Sequence, residues 1–244
     1  MDFMGPFTFN GVRFALGSLS LVPLLFFSRR QRSKIDSVLP HPSTKKTLGG
    51  GCLAGLALYC GASLQQVGLV YTTAGKAGFI TGLYVVIVPI LGLFWRQQPG
   101  TGTWIGAFLA VAGLYLLSVT ETLTIAFGDS LVLMGAFFWA GHVLLLGWLA
   151  PQMDSILLAF LQFAVCSLLS LLTALGVEMI TLQGIWQGAL PILYGGLFSV
   201  GIAYTLQVVA QRKSHPAHVA IILSLESAFA ALGGWLILEE MLSM

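Results

Sequence analysis

The sequence predicts an all-α membrane protein, a polytopic helical bundle built on an inverted repeat. Three observations predict it. Hydrophobic residues make up 57% of the 244-residue chain and charged residues only 8%, against about 45–50% and about 25% in soluble domains. So few charges do not cover a water-facing surface. The apolar residues gather into runs near the ~20 residues that cross a hydrocarbon core, with none of the alternation that a membrane β-barrel needs. A seven-residue segment also recurs in the second half of the chain.

Charges and turn signals divide the chain into eight candidate spans, at 4–27, 48–70, 77–95, 102–119, 130–149, 155–176, 189–210 and 217–238. The first run is too long for a signal-peptide core, carries Arg13, and lacks a basic start and a cleavage site, so it reads as a retained helix. Arg29, Arg30, Arg32, Lys34, Lys45 and Lys46 crowd the first connector, and alternate connectors carry Arg96, Arg212 and Lys213. The opposite side holds Asp2, Glu121, Asp129, Glu178, Glu239 and Glu240, with Lys76 among them. The positive-inside rule assigns the first set to the cytoplasm.

The recurring segment is "RFALGSL" (13–19) in the first span and "QFAVCSL" (162–168) in the sixth, identical at four of seven positions. An odd number of helices separates their starts, so the copies cross the membrane in opposite directions. Such inverted repeats build many transporters around a midplane site. The second unit opens with a helix (130–149) that the first lacks, and the first ends with a helix (102–119) that the second lacks. The expectation is a five-plus-five bundle, with repeats at 1–119 and 128–244 that lack their first and last helices respectively.

Several stretches then resemble EamA-type permeases of the drug/metabolite transporter superfamily. They are "RFALGSLSLVPL", "GLVYTTAGKAGFITGLYVVIVPILG" (68–92), "GDSLVLMGAFFWAGHV" (128–143) and "LQVVAQRKSHPAHVAIILSLESAFAALGGWLILEE" (206–240). They follow the family's order over nearly the whole chain. Leu225, Glu226 and Ser227 stand where the family often has Leu-Glu-Pro. The resemblance implies that the four helices of the two pairs line the transport pathway.

Two charges lie within spans. Glu226 is about ten residues from Pro216, roughly 15 Å deep in a core about 30 Å thick. An ionisable group there is a functional-site hypothesis: an amine-recognising or proton-coupling carboxylate, against a structural pair. Arg13 lies in the outer half of the first span, to snorkel, pair with a carboxylate or meet an anionic substrate group. Uncharged candidates cluster in the helix pairs: Gln65, Gln66, Tyr71, Thr72, Thr81 and Tyr84 in one, Tyr204, Gln207 and Gln211 in the other, with Trp139 beside His142 in the fifth span. Such groups either bond across helices or face a cavity. Gly78 with Gly82, Gly51 with Gly55 and Gly102 with Gly106 have the GxxxG spacing of close helix packing.

Other chemistries find little support. Cys52, Cys60 and Cys166 lie in apolar runs without metal spacing. His215 and His218 flank Pro216 without a nearby Cys or Asp, which argues against a metal site. Ser199 has only His142 or His215 as a base, so an intramembrane hydrolase is a weak alternative; a non-transporting scaffold is another. No GxxxxGK[ST] loop is present, so ATP is not the direct energy source. The expected function is secondary export of small organic metabolites, such as amino acids or drugs, across the bacterial inner membrane without a cofactor. The expected partners are the metabolite, the lipid bilayer, a coupling proton and a second copy of the chain. Nucleic acid is not among them, because the net charge is only +2.

Overall fold

The computed structural model describes residues 3–32, 44–118 and 126–226. The chain forms helices α1 (Pro6–Arg32), α2 (Thr44–Gly68), α3 (Ala74–Gly82), α4 (Tyr84–Phe94), α5 (Thr101–Ser118) and α6 (Phe127–Leu149). After a short 3-10 turn come α7 (Ser155–Val177), α8 (Leu182–Gln187) and α9 (Ala189–Leu193), a π-helix (Tyr194–Tyr204), and α10 (Thr205–Gln211). A further apolar helix, α11, covers Pro216–Glu226. No strand occurs among the described residues.

Among the described residues six helical stretches are long and apolar enough to cross a membrane: Pro6–Phe27, Lys45–Gly68, Ala74–Phe94, Phe127–Gln152, Ser155–Val177 and Ala189–Gln211. They match six of the expected spans. The fourth expected span falls on α5, and the eighth begins at α11 and continues beyond the described residues.

Two compact units form, Met1–Ser63 with Leu145–Lys213 and Leu64–Leu144 with Ser214–Met244. Each draws on both halves of the sequence, and α2 and α6 contribute to both.

In the first unit α1 lies antiparallel against α7. Ser167 Oγ donates to the Gly11 carbonyl at 2.8 Å, and the Phe14 and Phe163 rings meet with centroids 6.2 Å apart. Helix α2 packs on α7 through Gly55, where a Cβ would stand 2.6 Å from Val165 Cβ and 2.9 Å from the Gln162 carbonyl. The π-helix packs on α1 in the same way: a Cβ on Gly196 would stand 2.8 Å from Leu16 Cβ and 3.0 Å from the Arg13 carbonyl. Leu16 and Val165 hold one place in the matched segments, and Arg13 and Gln162 another. The recurrence of both contacts is the signature of a two-fold axis perpendicular to α1 and α7. Polar side chains tie the same helices, as expected where water offers no competing partner. Asn10 Nδ2 donates to the Ala62 carbonyl at 3.1 Å, and the Tyr59 and Thr173 hydroxyls lie 2.6 Å apart.

The start of α1 is capped from a distance. Pro6 fits the first helical position, where an amide would be unsatisfied anyway. The following amides of Phe7 and Thr8 donate to the Glu178 carboxylate at 2.8 Å each, and Thr8 Oγ1 donates at 2.6 Å. Glu178 also ends α7, its amide donating to the Ala174 carbonyl at 2.8 Å, so one residue closes one helix with its backbone and caps another with its side chain. A negative group at a helix start also complements the macrodipole. A Cβ on Gly5 would collide with that carboxyl group.

The π-helix breaks an otherwise α-helical span. Gly195, Val200 and Thr205 are buried five residues apart, as are Gly196 and Gly201. That spacing suits i→i+5 hydrogen bonding, which turns the small residues toward α1.

In the second unit the span Ala74–Phe94 is interrupted at Leu83, whose amide is shared between the Phe79 and Ile80 carbonyls at 3.2 Å each. Pro89 follows within α4, leaving the Val85 carbonyl without an intrahelical donor. Helix α4 ends in a Schellman turn: Gln97 N donates to the Gly92 carbonyl and Arg96 N to the Leu93 carbonyl, both at 3.0 Å. Arg96 occupies the left-handed position, with φ 57°, where glycine is usual. The unit's core joins Val88, Ala140, Val143, Leu144, Ala217 and Ala220.

The glycine expectations divide. Gly51 and Gly55 lie tight against Leu161 and Val165, and Gly106 meets Ile221 at 3.1 Å. Gly78 and Gly102 have nothing within 4 Å of a Cβ position among the described residues. On α3 the buried small residues are Ala77 and Gly82.

Candidate functional site

The candidate residues fall into two groups, one in each compact unit. In the first unit, Arg13 is half-buried on α1, about 10 Å along the helix from Pro6 at ~1.5 Å per residue. Its guanidinium lies over the rings of Phe9 at 5.2 Å and Phe14 at 5.0 Å. Its Nε is buried without a hydrogen-bond acceptor, and no ion pair to it occurs among the described residues. Two ring faces stabilise the cation without neutralising it. Tyr204 lies beside this site, its ring 6.4 Å from Phe14 and 6.5 Å from Phe163. Gln207 and Gln211 are buried on α10, with Gln207 Nε2 donating to Gln211 Oε1 at 3.4 Å.

In the second unit a hydrogen-bonded chain runs across three helices. Trp139 Nε1 on α6 donates to Gln65 Oε1 on α2 at 3.1 Å. Gln65 Nε2 in turn donates to Thr81 Oγ1 on α3 at 3.2 Å. Thr81 is half-buried and stands two residues before the break at Leu83; Tyr84, one residue beyond the break, packs on the unit's core. The buried His142 meets the Trp139 ring edge-on at 6.0 Å. Sequence reading grouped Gln65 with its neighbours, but the structure makes it the link between two other candidates. Gln66 is half-buried one residue further along α2.

Other candidates lie at the edges of this group. Tyr71 is exposed and packs edge-on against Phe127 at 5.7 Å. The adjacent Thr72 hydroxyl donates to Asp129, whose other oxygen accepts from the Ala126 amide at 2.9 Å. Lys76 is half-buried at the start of α3, within electrostatic reach of Asp129. Glu226 ends the described part of α11 and is exposed; a carboxylate facing an open cavity and one facing lipid would both be so. His215 and His218 flank the start of α11 with ring centroids 5.8 Å apart, and no metal-binding cluster occurs among the described residues.

A family model described as the EamA-like transporter family matches residues 1–119 and again 126–244. A protein of Archaeoglobus fulgidus named as an uncharacterized transporter is 31% identical over 248 residues, covering 100% of this chain and 72% of its own. One of the same name from Methanothermobacter thermautotrophicus is 28% identical over 197 residues, covering 74% of this chain and 54% of its own. A solved crystal structure aligns over 98% of this chain and 80% of its own with a TM-score of 0.72 at 16% identity, a likeness of fold.

Proposed function

The chain belongs to the EamA-like transporter family, and from that premise we propose that it exports small organic metabolites by alternating access. It is a multi-pass membrane protein and a transporter; direction, substrate class and mechanism are the proposal. The repeats are assigned to 1–119 and 128–244. Because the relatives named above are archaeal, the compartment proposed is the cytoplasmic membrane of a prokaryote, not a bacterial inner membrane in particular.

The observation that carries the reading is the repeated contact set of the first unit. A pseudo-two-fold axis in the membrane plane gives a transporter two conformations of similar energy, because each repeat can take the other's arrangement. The break at Leu83 supports a site nearby, since interrupted spans expose backbone groups near substrates in many transporters. Glu226 is assigned to proton coupling or amine recognition.

Proteoliposomes loaded with a cellular metabolite extract test the proposal. Release of defined metabolites above protein-free vesicles, read by mass spectrometry, is expected. An outward pH gradient should change the rate, and Glu226→Gln should abolish that dependence while protein yield is kept. Release no faster than from protein-free vesicles would end the transport reading.

A further inference from the structure

We propose that Thr81 is a hydrogen-bond donor to an acceptor oxygen of the transported molecule, a carboxylate or carbonyl, and that Gln65 and Trp139 fix it in that role. The inference deepens the transport reading and rests on it. Its basis is the polarity of the chain from Trp139 through Gln65 to Thr81. An indole N–H only donates, so the Gln65 atom facing Trp139 is the amide oxygen and the amino group is turned toward Thr81. Thr81 Oγ1 then receives the Gln65 amino hydrogen and directs its own hydrogen elsewhere. Among the described residues no acceptor takes that hydrogen.

A hydroxyl can ordinarily present either a proton or a lone pair, so it discriminates poorly between a carboxylate and an ammonium. Here one lone pair is engaged by Gln65, so an acceptor oxygen meets a proton with no other partner, whereas an ammonium has a single remaining lone pair instead of two. The position strengthens the assignment, because Thr81 stands beside the interruption at Leu83, where the helix hydrogen-bond ladder is loosened. A site built to bond a particular polar group rejects analogues that leave its own groups unpaired. Trp139 and Gln65 are positioning residues.

The polarity is reversible by one substitution. In Q65E the side chain only accepts when ionised, taking hydrogens from both Trp139 Nε1 and Thr81 Oγ1. Thr81 would then present lone pairs and favour an ammonium. The probes are 3-phenylpropionate and 3-phenylpropylamine, which share a skeleton, with butyrate and butylamine as a second pair. They are loaded together into proteoliposomes of the full chain, with the cell-extract pool in parallel.

The wild type should release the carboxylates at least tenfold faster than the amines. T81V should lose that release at least tenfold, and T81S should restore most of it. Q65E should reverse the preference, and the reversal should vanish in Q65E/T81V, which separates hydroxyl polarity from the added charge. Size-exclusion profiles identify variants that fail to fold, and the T81S rescue keeps the test decisive if T81V is one of them. Release of the extract pool with no preference for carboxylates, or with T81V and wild type alike, would overturn this inference alone. Absence of any release by the wild type would overturn the transport reading and the inference with it.

Discussion

Phe14 and Phe163 hold the same place in the two matched segments and stand ring to ring, centroids 6.2 Å apart, on helices that run in opposite directions. Equivalent residues of two copies touch only beside the axis that relates them. If the pair is the hub of that relationship, Phe14→Ala and Phe163→Ala should destabilise the protein to similar extents. A double-mutant cycle should give a coupling of about 0.5–1.5 kcal/mol. Thermal unfolding in detergent measures it, and additive losses would show that the rings do not support one another.

Gly5 and Glu178 form a second test. Glu178→Ala removes the cap from the Phe7 and Thr8 amides and should cost about 1–2 kcal/mol. Gly5→Ala drives a methyl group into the same carboxyl and should cost a similar amount. The double substitution should be little worse than either single one, because the methyl then has room. Fully additive losses in melting temperature would disprove the shared site.

Arg96 tests the end of α4. A left-handed conformation costs a non-glycine residue about 1–2 kcal/mol, so Arg96→Gly should raise stability by up to about that amount. Arg96→Val should lower it, because a branched side chain tolerates positive φ poorly. The melting temperatures of the two variants should bracket that of the wild type. Equal values would mean that the turn relaxes without cost.

His215 supplies a pH dependence. Burial, and then the neighbouring His218, hold its pKa below the ordinary value of 6.5. The backbone amide of Ala217 also donates to its Nδ1 at 3.4 Å, a contact that needs that nitrogen unprotonated. The folded chain therefore takes up this proton less readily than the unfolded chain. The stability linked to His215 is full above 6.5 and is lost as pH falls through the lowered folded value. Melting temperatures across that window should fall with acid in the wild type and fall less in His215→Asn. His218→Ala should keep much of the slope, since burial is the larger cause. Identical slopes for wild type and His215→Asn would exclude the histidine as the source.

The spans were legible because hydropathy over about 20 residues reports directly on the solvent. The opposite directions of α1 and α7 were legible from the four identities between "RFALGSL" and "QFAVCSL", but their direct contact was not. The π-helix was missed, although its signal is present: Gly196 and Gly201 are five apart, not four. The capping role of Glu178 had no local signal, since its partners lie about 170 positions away. The neighbours of the GxxxG glycines were not legible, because that spacing describes a surface that permits close approach without naming what approaches it. Of the second polar group, residue types were readable but the order from Trp139 to Thr81 was not. Hydrogen-bond direction depends on which helices meet, and composition leaves that open.

The cap on α1 also has a consequence in time. Phe7 and Thr8 are made well before their partner, since Glu178 lies 170 residues behind Thr8. At about 5–20 residues per second, roughly 10 to 35 seconds of synthesis separate them. Through that interval the leading turn of α1 holds its place with water and lipid headgroups on its amides. The carboxylate arrives only after α7 has been threaded, so a ribosome that stalls earlier leaves that end of α1 open. The late bond marks a nascent chain in which α7 has reached α1.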